Sequence, residues 1–423
     1  MLNVAAIIIF ITVISQLLQE RVKVPASVSA VLFGLIAKYF GIESIVTSDW
    51  AFDQIILVLL PILLTVDVLH LKWSDIKRHG WSLFFAAGIS VGLAIAAGVA
   101  ISNHMLPDYN LSMASVVMLM AMCTATDPCS VSAIFSTQKV PKDLKVLAEG
   151  ESCFNDATAL IIFSLALYIE TSTAPITIQS MALKSFSVVF GAIAIGAVAG
   201  GIGLLMMKIT RNAMIETGIM LLTAFSAFAV TEYFHFSGIL AIIVAVMLAN
   251  TVVLNRIEKD NAQIESDAGD VRHALIDKHN HESMQKFIQF LAMIGITVMF
   301  LALADAVDFS SLLTYWKEIL SVFAATTVIR LVVMAKFSAI SNVVGRMHNI
   351  SISWYKVLVF GGVKGCLSLI MLHLIQDSEA YKPLFEAVVM GVILLTTFIY
   401  PIIMVTVIKG YGDKIVPEKV TES

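Results

Sequence analysis

Apolar runs of about twenty residues recur along nearly the whole chain, and each is long enough to cross the hydrocarbon core of a bilayer as a helix. Thirteen can be delimited, at 2–18, 25–42, 51–69, 81–101, 112–135, 146–169, 184–207, 215–233, 237–254, 286–305, 317–340, 353–375 and 384–408. The interruptions are polar or contain Pro and Gly, as connecting loops should. Only 14% of the 423 residues are charged and 58% are hydrophobic, against roughly 25% charged in a soluble globular protein. The expectation is an all-α polytopic membrane protein of about thirteen transmembrane helices, forming one membrane domain over residues 1–410. Residues 255–285, rich in Asp, Glu, His and Asn, read as a cytoplasmic loop too short for a core of its own, and 411–423 as a short cytoplasmic tail. His273, His279 and His281 in that loop read as part of a solvated connector. With a net charge of -4 and no basic tract, nucleic acid is not an expected partner.

Lysine and arginine divide unevenly between alternate loops. One set holds Arg21 and Lys23; Lys72, Lys77 and Arg78; Lys139, Lys142 and Lys145; Lys208 and Arg211; Arg256, Lys259, Arg272 and Lys278; Arg346; and Lys409, Lys414 and Lys419. The other holds Lys38, Lys184 and Lys382, with Lys317 at a segment edge. The positive-inside rule then puts the N-terminus outside and the C-terminus in the cytoplasm, which requires an odd number of spans. Val4–Leu18 follows Met1-Leu2-Asn3 with no basic region before it and no small-residue cleavage site after it, so it reads as a retained first helix. Cys123, Cys129, Cys153 and Cys366 lie in or beside apolar segments without CxxC spacing, which argues for buried thiols over a disulfide frame or zinc site.

Charged and polar groups at membrane depth are costly, so a chain that retains them uses them. The fifth span ends in Thr124-Ala125-Thr126-Asp127-Pro128. Pro128 has no amide hydrogen and disfavours helix at Asp127, so Thr124–Pro128 is expected to unwind. Backbone outside a helix at that depth must face protein or a water-filled cavity. In the sixth span, Glu151 and Asn155 are four apart, as are Ser152 and Asp156, which puts them on one broad helix face. Their donors are hard oxygens suited to a dehydrated small cation. Glu149 falls on the opposite side.

The twelfth span carries Gly361-Gly362-Val363-Lys364-Gly365, a second interruption late in the chain. A Gly/Pro-broken segment in each half is the sequence sign of an inverted-repeat transporter, with spans five and twelve as its crossing discontinuous helices. Arg330 in the eleventh span needs a carboxylate, and Glu151 is the expected partner, with Glu149 the alternative. Asp67, Glu170, Asp305 and Asp308 lie near span ends, and Glu232, His235 and His373 near turns; structural roles are expected for all of them.

At Thr126-Asp127-Pro128, Glu151-Ser152-x-x-Asn155-Asp156, Arg330 and 361–368, the chain resembles the monovalent cation/proton antiporter family. The branch is that of the NhaP-type prokaryotic antiporters and the animal sodium/proton exchangers. The likeness takes in nearly all of the chain, including Val24-Pro25, Pro61 and Val140-Pro141. It implies thirteen spans in two inverted repeats, an ion-binding core with dimerisation helices, a homodimer, and an integral protein of the prokaryotic inner membrane that works without a cofactor. By the same resemblance, Asp156 is the essential cation- and proton-binding carboxylate, with Ser152 and the backbone at Thr126 as direct Na+ ligands. Asp127 acts through water, Asn155 supports the unwound segment, and Glu151 pairs with Arg330. Asparagine at 155, where electrogenic relatives have a second aspartate, implies electroneutral exchange. Many members have arginine in a GGxRGA-like stretch; here it is Lys364, which keeps the charge and loses the planar fork.

The expected function is therefore exchange of Na+ or Li+ for H+ by alternating access, with Asp156 taking cation or proton in competition. K+/H+ antiport on the same scaffold is an alternative. A distant one, an intramembrane aspartyl protease, needs two aspartates sharing a proton, and its GxGD pattern is missing.

Overall fold

A polypeptide backbone in hydrocarbon must satisfy its own amides, and all the secondary structure found among the described residues is helical. The structure is a computed structural model and describes residues 2–411 other than 23, 41–48, 70, 72, 139, 172–177, 211, 266–270, 345–346, 348 and 377–378. Outside them lie Lys23, Lys72, Lys139, Arg211, Arg346, Lys414 and Lys419 among the loop basic residues, and residues 412–423 of the tail.

Eight helices among the described residues are long and apolar enough to cross a membrane, and shorter apolar helices lie at 26–39, 58–69, 113–124 and 238–251. Their outward faces are apolar: Phe10 is 65% exposed, Val198 65% and Val328 57%. Such faces suit lipid, where apolar side chains need no shelter from water.

Chain contacts define two units. The first comprises residues 1–49, 79–177 and 297–423. It contains α1 (Leu2–Val22), α2 (Ala26–Tyr39), α5 (Ser90–Met105), α6 (Met113–Thr124), α7 (Pro128–Thr137), α8 (Lys142–Thr171), α13 (Phe309–Thr314), α14 (Trp316–Val343), α15 (Ile352–Phe360), α16 (Cys366–His373) and α17 (Lys382–Tyr411). The second comprises 50–78 and 178–296, with α3 (Asp49–Leu69), α9 (Ile178–Met207), α10 (Ala213–Tyr233) and α11 (Gly238–Glu265). The unit boundaries fall inside α4 (Trp73–Leu83) and α12 (Val271–Ala306). A π-helical turn at Phe84–Ile89 joins α4 to α5, so the fourth apolar segment is longer than the expected 81–101. The stretch 255–285, read as a loop, continues α11 to Glu265 and starts α12 at Val271.

Small residues set how closely the helices approach. In the second unit a Cβ at Gly196 or Gly200 of α9 would lie 2.6 or 2.7 Å from the carbonyl oxygens of Ala241 and Ala245 on α11. In the first unit Met120 of α6 covers Gly98 of α5, and Leu83 covers Gly150 of α8. Lys38 of α2 donates to the carbonyls of Asp305 and Val307 at the end of α12, satisfying acceptors that the helix leaves open. Cys123 and Cys153 are buried thiols.

Candidate functional site

Two helices of the first unit are broken, and the breaks meet. α6 ends at Thr124 and α7 begins at Pro128, leaving residues 125–127 outside any helix, inside the stretch that Pro128 was expected to unwind. α15 ends at Phe360 and α16 begins at Cys366, leaving 361–365 extended or turned. The Asp127 N–H donates to the Val363 carbonyl at 2.7 Å. Ser368 Oγ donates to the Met122 carbonyl at 2.7 Å, and Lys364 Nζ to the Thr124 carbonyl at 3.0 Å. A Cβ at Gly365 would stand 2.6 Å from Asp127 Cβ, so this approach requires glycine.

Breaking a helix leaves carbonyls at one end and amides at the other without partners, carrying partial charges. Three of the four ends are answered by side chains here; the N-terminus of α16 has no side-chain cap. At the C-terminus of α6 the Thr124 carbonyl accepts from Lys364 and from Asn155 Nδ2 (3.2 Å). At the N-terminus of α7, Asp127 Oδ2 accepts from the Ser130 N–H at 3.2 Å and from the Ser130 hydroxyl, the arrangement of a helix cap. At the C-terminus of α15 the Leu358 and Val359 carbonyls accept from Arg330 NH2 and Nε, both at 2.9 Å.

Unbroken α8 lies alongside. Glu151, Ser152, Asn155 and Asp156 are all buried, Asn155 completely. Asp156 Oδ1 accepts from the Thr126 N–H at 3.0 Å, and Thr126 Oγ1 donates to Ser152 Oγ at 3.1 Å. Asn155 Nδ2 also donates to Thr126 Oγ1 at 3.0 Å. Glu151 faces Arg330 in a two-pronged ion pair, NH1 to Oε1 at 3.3 Å and NH2 to Oε2 at 3.1 Å. Glu149, the other partner considered, turns instead to Ser132 (2.6 Å) and Lys145 (3.7 Å).

The structure thus brings Thr126, Ser152, Asn155 and Asp156 together, joins Glu151 to Arg330, and carries Lys364 to the same crossing. Asp127 lies within it but caps α7. Sequence reasoning passed over Thr124, whose carbonyl anchors both Lys364 and Asn155, and Thr396, whose Oγ1 accepts from the Lys364 N–H at 3.1 Å. Thr124 stood inside the breaking motif and could have been found there. Thr396, in the apolar interior of α17, gives no such signal.

Crossed broken helices beside buried carboxylates, in a lipid-facing bundle, define a membrane transporter of ions and not an enzyme. The family profile described as "Sodium/hydrogen exchanger, transmembrane" matches residues 6–410, and the chain belongs to that family. It is 26% identical to the Na(+)/H(+) antiporter ApNhaP of Aphanothece halophytica over 416 residues, covering 97% of this chain and 74% of the relative. It is also 26% identical to the low-affinity Na(+)/H(+) antiporter NhaS1 of Synechocystis sp., again with 97% and 74% covered. The fold matches the solved structure of the sodium proton antiporter MjNhaP1 from Methanocaldococcus jannaschii, with a TM-score of 0.72 and 16% identity over 100% of this chain and 99% of that one.

Proposed function

We propose that the chain exchanges Na+ or Li+ for H+ across the membrane, electroneutrally, with Asp156 binding the cation or the proton in competition. The observation that carries this reading is the placement of Asp156. It is a buried carboxylate on a continuous helix, with Oδ1 held against the unwound stretch by the Thr126 N–H. A cation there would meet the carboxylate, the Ser152 hydroxyl and the backbone at Thr126, all hard oxygen donors. Asp127 would act from one step away, through water.

Charge supports one-for-one exchange. Glu151 is matched by Arg330 and Asp127 by the N-terminus of α7, so the negative charge left for one Na+ or one proton to neutralise is that of Asp156. Asn155 adds none. Its amide donates to the Thr124 carbonyl, which a carboxylate at that position could not do. A charge out of water is costly to move, so the conformational change is open to the neutralised site and closed to the empty one.

In the membrane this reading carries thirteen crossings, an external N-terminus and a cytoplasmic C-terminus, supported by the loop lysines and arginines, and a homodimer. The test is cation-induced pH change in proteoliposomes of the purified protein, with Na+, Li+ and K+ added separately beside Asp156→Asn. Na+ and Li+ should each give a response that the variant lacks and that a clamped membrane potential leaves unaltered. A response to K+ alone would transfer the function to potassium. A response surviving in Asp156→Asn would remove Asp156 from its role.

A further inference from the structure

Beside the ion-pair side of the crossing is a cavity of about 30 Å³ that the exchange reading does not use. Met120, Cys123, Glu151, Asn155, Met334 and Lys364 are among its lining residues. Two of these carry polar capacity that the protein leaves unspent. Asn155 is fully buried, and its Oδ1 has no hydrogen-bond partner among the described residues, although Nδ2 is fully engaged. Lys364 is buried too, and among the described residues its ammonium bonds to the Thr124 carbonyl alone. An ammonium has three donors and a buried amide oxygen needs one, so the shortfalls are complementary. Glu151, on the same wall, can accept once more.

We propose that this cavity is a water site, in which a bound water accepts from Lys364 and donates to Asn155 Oδ1 and Glu151. The volume exceeds the 10–15 Å³ or so that one water requires, and three polar partners are the usual number for a buried water. An unmet amide oxygen at full burial is otherwise a standing cost, which makes a dry cavity unfavourable. Apolar contents would leave both groups unmet. A cation is disfavoured by the Arg330 and Lys364 charges on the walls.

The water has a task at the cation site. By holding Oδ1 it fixes the Asn155 amide plane, and the same amide positions Thr126 Oγ1, which bonds Ser152. Lys364 is therefore a positioning residue, acting on the cation ligands through water and Asn155. This last step rests on the exchange reading; the water site itself does not.

Hydroxyl-radical footprinting of the full-length wild-type protein by X-ray radiolysis tests the site without any transport assay. Radicals formed from bound water oxidise adjacent sulfur, and Met120 and Met334 line the cavity, whereas Met118 and Met122 on α6 are equally buried and do not. Met120 and Met334 should be oxidised several-fold faster than Met118 and Met122. Equal rates would make the cavity dry and overturn the proposal. The positioning role is read from exchange kinetics. Lys364→Met should raise the Na+ KM and also lower the maximal rate, because it removes a buried positive charge and the bond to the Thr124 carbonyl together with the water. Ala94→Leu, filling the cavity from α5 with Lys364 intact, should raise the Na+ KM about tenfold at nearly unchanged maximal rate, the effect of one lost buried hydrogen bond. Lys364→Arg, whose fork can reach where the water stands, should restore the KM and bring Met120 oxidation down to the rate of Met118. Unchanged KM in Lys364→Met and Ala94→Leu would refute the positioning role. Absence of exchange in the wild type would refute the transport reading and leave the footprint standing.

Discussion

Glu151→Gln removes a charge from the Glu151–Arg330 pair and little else, and its cost can be worked from the contacts. Arg330 is 11% exposed at its side chain and Glu151 3%, so the guanidinium left behind stays largely shielded from water. Removing one partner of such a buried pair costs about 3–5 kcal/mol, because the remaining charge stays desolvated and unpaired. Arg330→Met costs differently. Glu151 loses its counter-ion, and the Leu358 carbonyl at the end of α15 also loses its donor, an additional penalty of about 1–3 kcal/mol for an unmet buried acceptor. The Val359 carbonyl keeps the Gly362 N–H at 3.3 Å and loses less. The double variant has neither buried charge, so its cost should fall short of the sum of the two single costs by about 2 kcal/mol. It should still lie below wild type, since Leu358 remains unmet. Reversible unfolding in mixed micelles, followed by helical circular dichroism, gives the four free energies of the cycle. Additivity within about 0.5 kcal/mol would show that the two residues do not act as a pair, and the reasoning would fail.

Gly365→Ala should destabilise by about 1–3 kcal/mol through overpacking against Asp127, because the backbone there (φ -134, ψ -160) is open to any residue. Gly218→Ala in α10, where a Cβ meets nothing, should instead stabilise by about 0.5–1 kcal/mol; thermal unfolding midpoints distinguish the two. Thr126→Val keeps the N–H to Asp156 and removes the hydroxyl shared by Ser152 and Asn155, so the Na+ KM should rise about tenfold in exchange assays while the maximal rate holds. Asp308 caps α13, and bonds from Ser310 and Ser311 hold its carboxyl down at about 2, below the unfolded value of about 3.9. Its contribution is complete above about pH 4 and lost as the pH falls toward 2, so wild-type unfolding midpoints should drop more steeply than those of Asp308→Ala across that interval.

What the sequence made legible follows from cost. Pro128 cannot donate and constrains its neighbour, so the break after Thr124 could be read from composition alone. Arg330 could not stand unpaired in an apolar helix, and α8 offered Glu151 on the face that carries Asp156. Lys364 was harder. Its charge was evident, but its partner is a backbone carbonyl set free by the other broken helix, and no side-chain pattern encodes that. Asp127 shows the opposite case. An acid before Pro with serine three positions on is a helix cap, a role that its neighbours encode beside the one expected at the cation motif. The helical continuation of α11 and α12 into 255–285 was illegible because polar segments without apolar periodicity read as loops.

The central claim is that one carboxylate serves cation and proton in turn, and the dependence of exchange rate on Na+ concentration at a series of fixed pH values tests it most directly. If Asp156 binds the two in competition, the apparent Na+ KM should rise about tenfold per unit as pH falls through the acid limb, with the maximal rate unchanged, because each proton must be displaced by one cation. A KM constant with pH beside a maximal rate that falls would mean that proton and cation occupy separate groups, and the account built on Asp156 would be wrong.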